Sequence, residues 1–120
     1  LCTWGASVKE CLEAAEFLAE EGISVEVIDV ATLKPLDMAT ILESVSRTGR
    51  CLIVHEAART GGVGAEIAAQ LAEHAMFDLK APVLRVAGYD VPMPLFRLEM
   101  KYLPGVARIV AGVRKLMQYR

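Results

Sequence analysis

Short apolar runs alternate along the whole chain with amphipathic stretches of helical spacing. The runs are rich in β-branched residues and have the length of strands, at 1–4, 24–30, 51–54 and 83–86. Between them, stretches such as 7–20 and 63–75 repeat apolar residues every three or four positions. This alternation predicts helices on both faces of a mostly parallel sheet. We therefore expect a single domain over residues 1–120, a three-layer α/β/α structure with about five strands.

Individual residues predict where two helices begin and which helix faces are buried. Ser7 stands three residues before Glu10, which is the spacing of a capping box at the start of the first helix. Asp37 is a good N-cap for the second helix. The helical spacing places Leu12 on the buried face of the first helix and Met117 on the buried face of the last.

Charge, hydropathy and cysteine content exclude several classes of protein. Thirteen basic and fifteen acidic residues give a net charge of −2, which is the wrong sign for general nucleic-acid affinity. Mean hydropathy is +0.39, yet no run approaches the roughly 18 apolar residues of a membrane helix. Three cysteines without metal-ligand spacing indicate reduced core residues and a reducing compartment. We expect no nucleic-acid partner, no membrane partner and no metal site.

The third predicted strand leads into the most distinctive polar motif of the chain. His55 and Glu56 end this strand, and Gly61, Gly62 and Gly64 open the following helix. Glycines at a helix N-terminus permit an anion site, but they also permit a tight turn, and the turn is the favoured interpretation because no phosphate-binding motif is complete. His55 is expected to have a structural or interface role, and Glu56 to accept the amides of the turn.

A second candidate site follows the fourth predicted strand. Tyr89, Asp90, Pro92, Pro94 and Phe96 lie in a segment whose prolines restrict the chain, with Met93, Leu95 and Tyr102 adding apolar surface. Such a contiguous apolar surface is typical of a protein interface, and a restricted loop loses less entropy when it docks. The residues by themselves therefore indicate a binding or assembly domain.

Several of these motifs, in this order, resemble one family. They are the stretches 23–29, 32–37, 48–50, 54–57, 60–67, 88–94 and 102–104. Together they are similar to the C-terminal domain of the transketolase superfamily. The most similar form is the beta subunit of the thiamine-diphosphate-dependent decarboxylating component of 2-oxo acid dehydrogenase complexes.

The resemblance implies a role in assembly. Family members bind thiamine diphosphate and Mg²⁺ between the alpha subunit and the N-terminal domain of the beta subunit. We expect that domain to be missing from this chain, which begins inside a predicted strand. No catalytic, cofactor-binding or metal-binding residue is therefore assigned, and the domain alone is expected to bind no cofactor and to be inactive.

The resemblance also implies partners and a location. The expected partners are the alpha subunit and a second beta subunit, in a heterotetramer of two alpha and two beta chains. The subunit-binding domain of the lipoyl acyltransferase core is a further expected partner, although Lys80 replaces an acidic residue of several relatives. The expected location is the cytoplasm of a bacterium, or the mitochondrial matrix in a eukaryote.

Two alternatives remain at this point. The chain could be the C-terminal domain of a transketolase or a deoxyxylulose-phosphate synthase. It could also be a free-standing module that binds a small anion at Gly61–Gly64. The family, moreover, handles pyruvate, branched-chain 2-oxo acids or acetoin, and the motifs do not separate these substrates.

Overall fold

Strands and helices alternate in the computed structural model, which describes residues 1–119. The strands are β1 (Cys2–Thr3), β2 (Ile28–Asp29), β3 (Leu52–Ala58) and β4 (Leu84–Gly88). The helices are α1 (Ser7–Glu20), α2 (Met38–Thr48), α3 (Val63–His74), α4 (Glu99–Tyr102) and α5 (Val106–Met117). The predicted α/β alternation is confirmed.

The strands form a parallel sheet in the order β2-β1-β3-β4. Among residues 1–119 the sheet has four strands, where the sequence predicts about five. The longest remaining non-helical stretch, residues 89–98, contains Pro92 and Pro94, which lack the N–H group that strand pairing needs. Because all strands run in the same direction, their carboxyl ends meet at one edge of the sheet.

β3 separates two apolar cores, one on each face of the sheet. Leu52 and Val54 pack with α1 and α5, whereas Ile53 packs on the other face with α2 and α3. This alternation follows from the two-residue period of a strand. It confirms the three layers, with β3 buried on both sides as parallel strands are.

The observed strand lengths differ from the predicted ones. β2 covers Ile28–Asp29 rather than residues 24–30, because within residues 1–119 it pairs only with the two-residue strand β1. β3 continues beyond Val54 to Ala58, and Ala58 lies opposite Gly88 of β4. A register shift between Val54 and Ala58 bends this end of the pair.

Of the two predicted helix caps, the structure contains the one at α2 but not the one at α1. At α2, Asp37 is the N-cap, and its carboxylate accepts hydrogen bonds from the Thr40 N–H at 3.1 Å and from the Thr40 hydroxyl at 2.7 Å. The predicted capping box at α1 is wrong. Ala6 precedes the helix, and the buried Ser7 hydroxyl has no hydrogen-bond partner among residues 1–119. Ser7 already lies within the first turn, where its side chain cannot act as an N-cap.

The buried faces of the outer helices are narrower than their apolar content predicts. Leu12 is 51% exposed, and Ala14 occupies the buried face of α1 together with Cys11 and Leu18. Met117 is also exposed, although Ile109, Val110, Val113 and Leu116 of α5 are buried against the sheet and α1. The apolar face of α5 is thus used inside the domain. No helix within residues 1–119 is long and apolar enough to span a bilayer.

Candidate functional site

The glycine turn joins β3 to α3 at the carboxyl edge of the sheet. Gly61 has a φ of 74°, in the left-handed region that favours glycine. Gly62 returns to extended backbone as the N-cap of α3. Gly64 is buried in the first turn of this helix, where a Cβ atom would lie 2.5 Å from Nε2 of His55. The three predicted glycines therefore form a tight turn and a close contact with His55.

His55 fills the crevice where the strand order reverses, between β1 and β3. Its ring is fully buried and stacks on Trp4, which follows β1, with 5.2 Å between ring centroids and an interplanar angle of 16°. Neither ring nitrogen has a hydrogen-bond partner among residues 1–119. Burial lowers the pKa of His55 below its ordinary value. The neutral ring packs against Trp4 here, and an interface role for His55 stays a prediction.

Asp90 has the role that the sequence suggests for Glu56. Glu56 points to the opposite side from His55, is exposed, and makes no hydrogen bond to the turn among the described residues. The expectation that Glu56 holds the turn is wrong. Asp90 holds it instead, because its carboxylate accepts from the Thr60 N–H at 2.9 Å and from the Thr60 hydroxyl at 2.5 Å. These bonds hold the pKa of Asp90 below its usual value.

Residues 89–100, which we call the apolar segment, form the second candidate site. Its large apolar side chains are exposed to between 49% and 89%, with Leu95 and Phe96 at the upper limit. They are Tyr89, Val91, Met93, Leu95, Phe96, Leu98 and Met100. Pro92 is exposed and Pro94 half-buried. The predicted exposed apolar surface is therefore present.

The base of the apolar segment packs against the end of β4. The Arg108 guanidinium lies 4.7 Å from the centre of the Tyr89 ring and donates a hydrogen bond to the Ala87 carbonyl at 2.7 Å. Tyr102 meets Tyr89 edge-on and is only 6% exposed, so it supports the segment from below. The expectation that Tyr102 adds exposed apolar surface is wrong. Gly88 makes this packing possible, since a Cβ atom there would overlap the Tyr102 hydroxyl.

Three residues of these sites were not singled out by sequence reasoning. Trp4 follows a strand, and Thr60 lies next to the glycines. Their positions at the carboxyl edge of the sheet were the signal that could have identified them. Arg108 lies on α5 and had no local signal, because its contacts with Ala87 and Tyr89 join distant parts of the chain.

The side chain of Lys80 packs at the C-terminus of α2. Its aliphatic stem packs on Gly49, the left-handed C-cap of α2, and its N–H donates to the Gly49 carbonyl at 2.8 Å. The ammonium group is thereby held near the C-terminus of α2, where the helix dipole favours a positive charge. The neighbouring Asp78 accepts a hydrogen bond from the Ser46 hydroxyl at 2.6 Å.

The cysteines and acidic residues do not build a metal site in the described part of the chain. No group of three or more His, Cys, Asp or Glu side chains among residues 1–119 is placed to hold an ion. Cys2, Cys11 and Cys51 are buried free thiols. Burial raises the pKa of Cys2 to about 12 and that of Cys51 to about 11, so both remain protonated.

Comparisons with known proteins agree with this fold. The family model described as "Transketolase, C-terminal domain" matches residues 1–109. The chain is 45% identical over 119 residues to the "Pyruvate dehydrogenase E1 component subunit beta" of Leifsonia xyli subsp. xyli, covering 99% of this chain and 35% of that protein. It is 40% identical to the Bacillus subtilis protein of the same name, with 99% and 37% covered.

A solved structure shows the same architecture. It is titled "Split gene transketolase, inactive beta4 tetramer", and it matches with a TM-score of 0.84 and 33% identity over 98% of this chain and 37% of that one. The chain thus spans little more than a third of the length of these relatives. Its sheet order, its sequence and its three-dimensional match agree, and the chain belongs to the transketolase C-terminal domain family.

Proposed function

We propose that this chain is the assembly domain of the beta subunit of a 2-oxo acid dehydrogenase decarboxylating component. The observation that supports this most directly is the exposed apolar segment, on a domain that matches pyruvate dehydrogenase beta subunits over 99% of its length. An apolar surface of this kind is unfavourable when it is exposed to water, and its burial in a subunit contact is stabilising. Full burial of one large apolar side chain contributes about 1.5–3 kcal/mol.

The complete enzyme would decarboxylate a 2-oxo acid on thiamine diphosphate and transfer the acyl group to a lipoyl group. A diphosphate with Mg²⁺ requires oxygen ligands for the metal and donors for the phosphates. No group of three or more His, Cys, Asp or Glu side chains within residues 1–119 is placed to hold an ion, and the Asp90 carboxylate already accepts from the Thr60 N–H. These residues do not fit such a site. The proposal therefore places cofactor and chemistry elsewhere in the subunit, and this domain alone is proposed to be inactive.

The proposed partners are an alpha subunit and a second beta subunit, in a heterotetramer. The solved relative supports contact between beta chains, because its title describes a tetramer of beta chains. The subunit-binding domain of the acyltransferase core is proposed as a further partner. Since the stem of Lys80 packs on Gly49, that contact would use other groups around the α3–β4 connection, such as Asp78. The bacterial relatives favour a cytoplasmic location.

A transketolase is the second candidate, because the matched solved structure carries that name. The relatives named pyruvate dehydrogenase are more similar, at 40–45% identity against 33%. The anion-binding module has less support. The stacked Trp4 and His55 rings fill the crevice at the strand reversal, and the Asp90 carboxylate, bonded to Thr60 next to the glycines, would repel an anion there.

The assembly proposal is tested in the full-length beta subunit, co-purified with its alpha subunit. Phe96→Asp places a charge in the apolar segment, and Tyr89→Ala removes an aromatic ring from it. Both variants are expected to shift the complex to dissociated subunits in sedimentation velocity, and Phe96→Asp to do so with little change in the melting temperature of the beta subunit, because Phe96 is 89% exposed. Phe77→Asp is the control, because Phe77 is 99% exposed but lies outside the segment. Normal assembly of both segment variants would refute the proposal.

The chemistry is tested on the same preparation. Decarboxylation of 2-oxo acids with acyl transfer to a lipoyl acceptor is expected from the intact complex. Ketol transfer between sugar phosphates, without 2-oxo acid decarboxylation, would instead establish the transketolase alternative.

A further inference from the structure

Two hydrogen bonds join the glycine turn to the start of the apolar segment. Both oxygens of Asp90 are used, one by the Thr60 N–H at 2.9 Å and one by the Thr60 hydroxyl at 2.5 Å. The two residues are 30 positions apart in the sequence and belong to different loops at the carboxyl edge of the sheet. Asp90 is the second residue after β4, so this contact sets the direction in which the chain leaves the sheet.

The residues just before Thr60 and Asp90 are also joined, which links the residue after β3 to β4. The Arg59 N–H donates to the Gly88 carbonyl at 3.1 Å, and the Arg85 guanidinium donates to the Arg59 carbonyl at 2.8 Å. Beyond Asp90 the hydrogen bonding and the exposure of the chain change. Among residues 1–119, residues 91–98 make only local backbone hydrogen bonds, such as that of the Leu98 N–H to the Leu95 carbonyl, and most of their side chains are exposed.

We propose that the Thr60–Asp90 contact is a clamp that positions the apolar segment for its subunit partner. Thr60 and Asp90 are then positioning residues of the interface, and they touch no partner themselves. This inference rests on the proposed assembly function. Its physical basis is entropy, because a segment anchored in its docking orientation has less conformational freedom to lose on binding than one that swings from the end of β4.

Among the other hydroxyl–carboxylate pairs of the chain, Ser46–Asp78 provides a matched comparison. The Ser46 hydroxyl donates to Asp78 at 2.6 Å, across 32 positions of sequence, and this pair is also exposed. It joins α2 to the α3–β4 connection, away from the apolar segment. Thr60→Val and Ser46→Ala each remove one exposed hydroxyl–carboxylate hydrogen bond, so a difference in assembly between them would come from the position of the Thr60–Asp90 pair.

The test uses the full-length beta subunit with its alpha subunit. Asp90→Ala removes both hydrogen bonds, Thr60→Val removes the one from the hydroxyl, and Thr60→Ser restores it. The dissociation constant of assembly is expected to rise about tenfold for Asp90→Ala and about threefold for Thr60→Val, and to return to the wild-type value for Thr60→Ser. Amides of residues 91–98 are expected to exchange with deuterium faster in Asp90→Ala than in wild type.

Ser46→Ala is the control for Thr60→Val, with an expected change in the dissociation constant of less than about twofold. If Asp90→Ala assembles as wild type does while Phe96→Asp dissociates, the clamp is refuted and the assembly function stands. The clamp is also refuted if Thr60→Val and Ser46→Ala weaken assembly equally. If Phe96→Asp also assembles normally, the assembly function itself fails, and the clamp with it.

Discussion

His55 lies fully buried between the Trp4 ring and two glycines of the β3–α3 connection, so burial determines its chemistry more than the neighbouring Glu56 does. Its ring nitrogens have no partner among residues 1–119, and its pKa is lowered. A buried base of this kind favours the neutral form and is destabilised by protonation. At the scale of single residues, the crevice between β1 and β3 is therefore filled by packing.

The pH dependence of stability follows from His55. The folded state holds the neutral ring with a pKa below 6.5, whereas the unfolded chain binds a proton near that value. Stability is thus lost as the pH falls through 6.5 towards the folded-state pKa. His55→Phe, which keeps the stacking, is expected to reduce the loss of unfolding free energy between pH 7.5 and 5.5 in urea titrations. His74→Gln is the control at an exposed histidine, and an equal effect of both variants would contradict the assignment.

Gly64 is predicted to resist substitution although it lies in a helix. Alanine normally stabilises a helix relative to glycine, but here its Cβ would lie 2.5 Å from Nε2 of His55 and 3.1 Å from Ile53. Gly64→Ala is expected to cost about 1–3 kcal/mol of unfolding free energy. In a His55→Ala background the same change should cost much less. Additive losses in this double-mutant cycle would show that the two residues do not contact each other.

At the scale of elements, sequence reasoning succeeds where the signal is local. The start of α2 is marked by Asp37, and its C-terminus by Gly49 with a φ of 74°. α1 shows the limit of such reasoning. The Ser7–Glu10 spacing is that of a capping box, yet the helix begins one residue too early for Ser7 to cap it. The neighbouring chain and the burial of Ser7 decide the helix start, and neither can be read from four residues.

Ser7 therefore provides a test between the two interpretations. If Ser7 capped the helix, its replacement would destabilise the domain. Removing a buried, unpartnered hydroxyl within a helix should not destabilise it. Ser7→Ala is expected to leave the unfolding free energy within about 0.5 kcal/mol of wild type or to raise it. Asp37→Ala is the positive control and should lower the urea midpoint, because its side chain accepts from Thr40. A clear loss in Ser7→Ala would restore the capping box.

At the scale of the whole molecule, β3 organises both cores. Leu52 and Ile53 are adjacent and fully buried, but they pack into different layers. The apolar segment contributes to neither core, so the domain can fold around β3 while that segment stays available to a partner. This division separates folding from assembly within one domain.

Alanine substitutions are expected to show this division. Leu52→Ala and Ile53→Ala should each lower the unfolding free energy by about 2–5 kcal/mol. Leu95→Ala, in the apolar segment, should change it by less than about 0.5 kcal/mol. Urea denaturation of the three variants measures these differences. A large loss in Leu95→Ala would mean that the segment is part of the folding core.

The sequence by itself determined the alternation of strands and helices, the three layers, the glycine turn and the exposed apolar segment. Periodicity, turn glycines and prolines are local properties, so they can be read along the chain. Only the tertiary structure decided that Asp90 rather than Glu56 holds the turn, that Tyr102 is buried and that Arg108 supports Tyr89. Each of these contacts joins loops or helices that the strand order brings together, and local sequence carries no record of which distant side chain fills a given position.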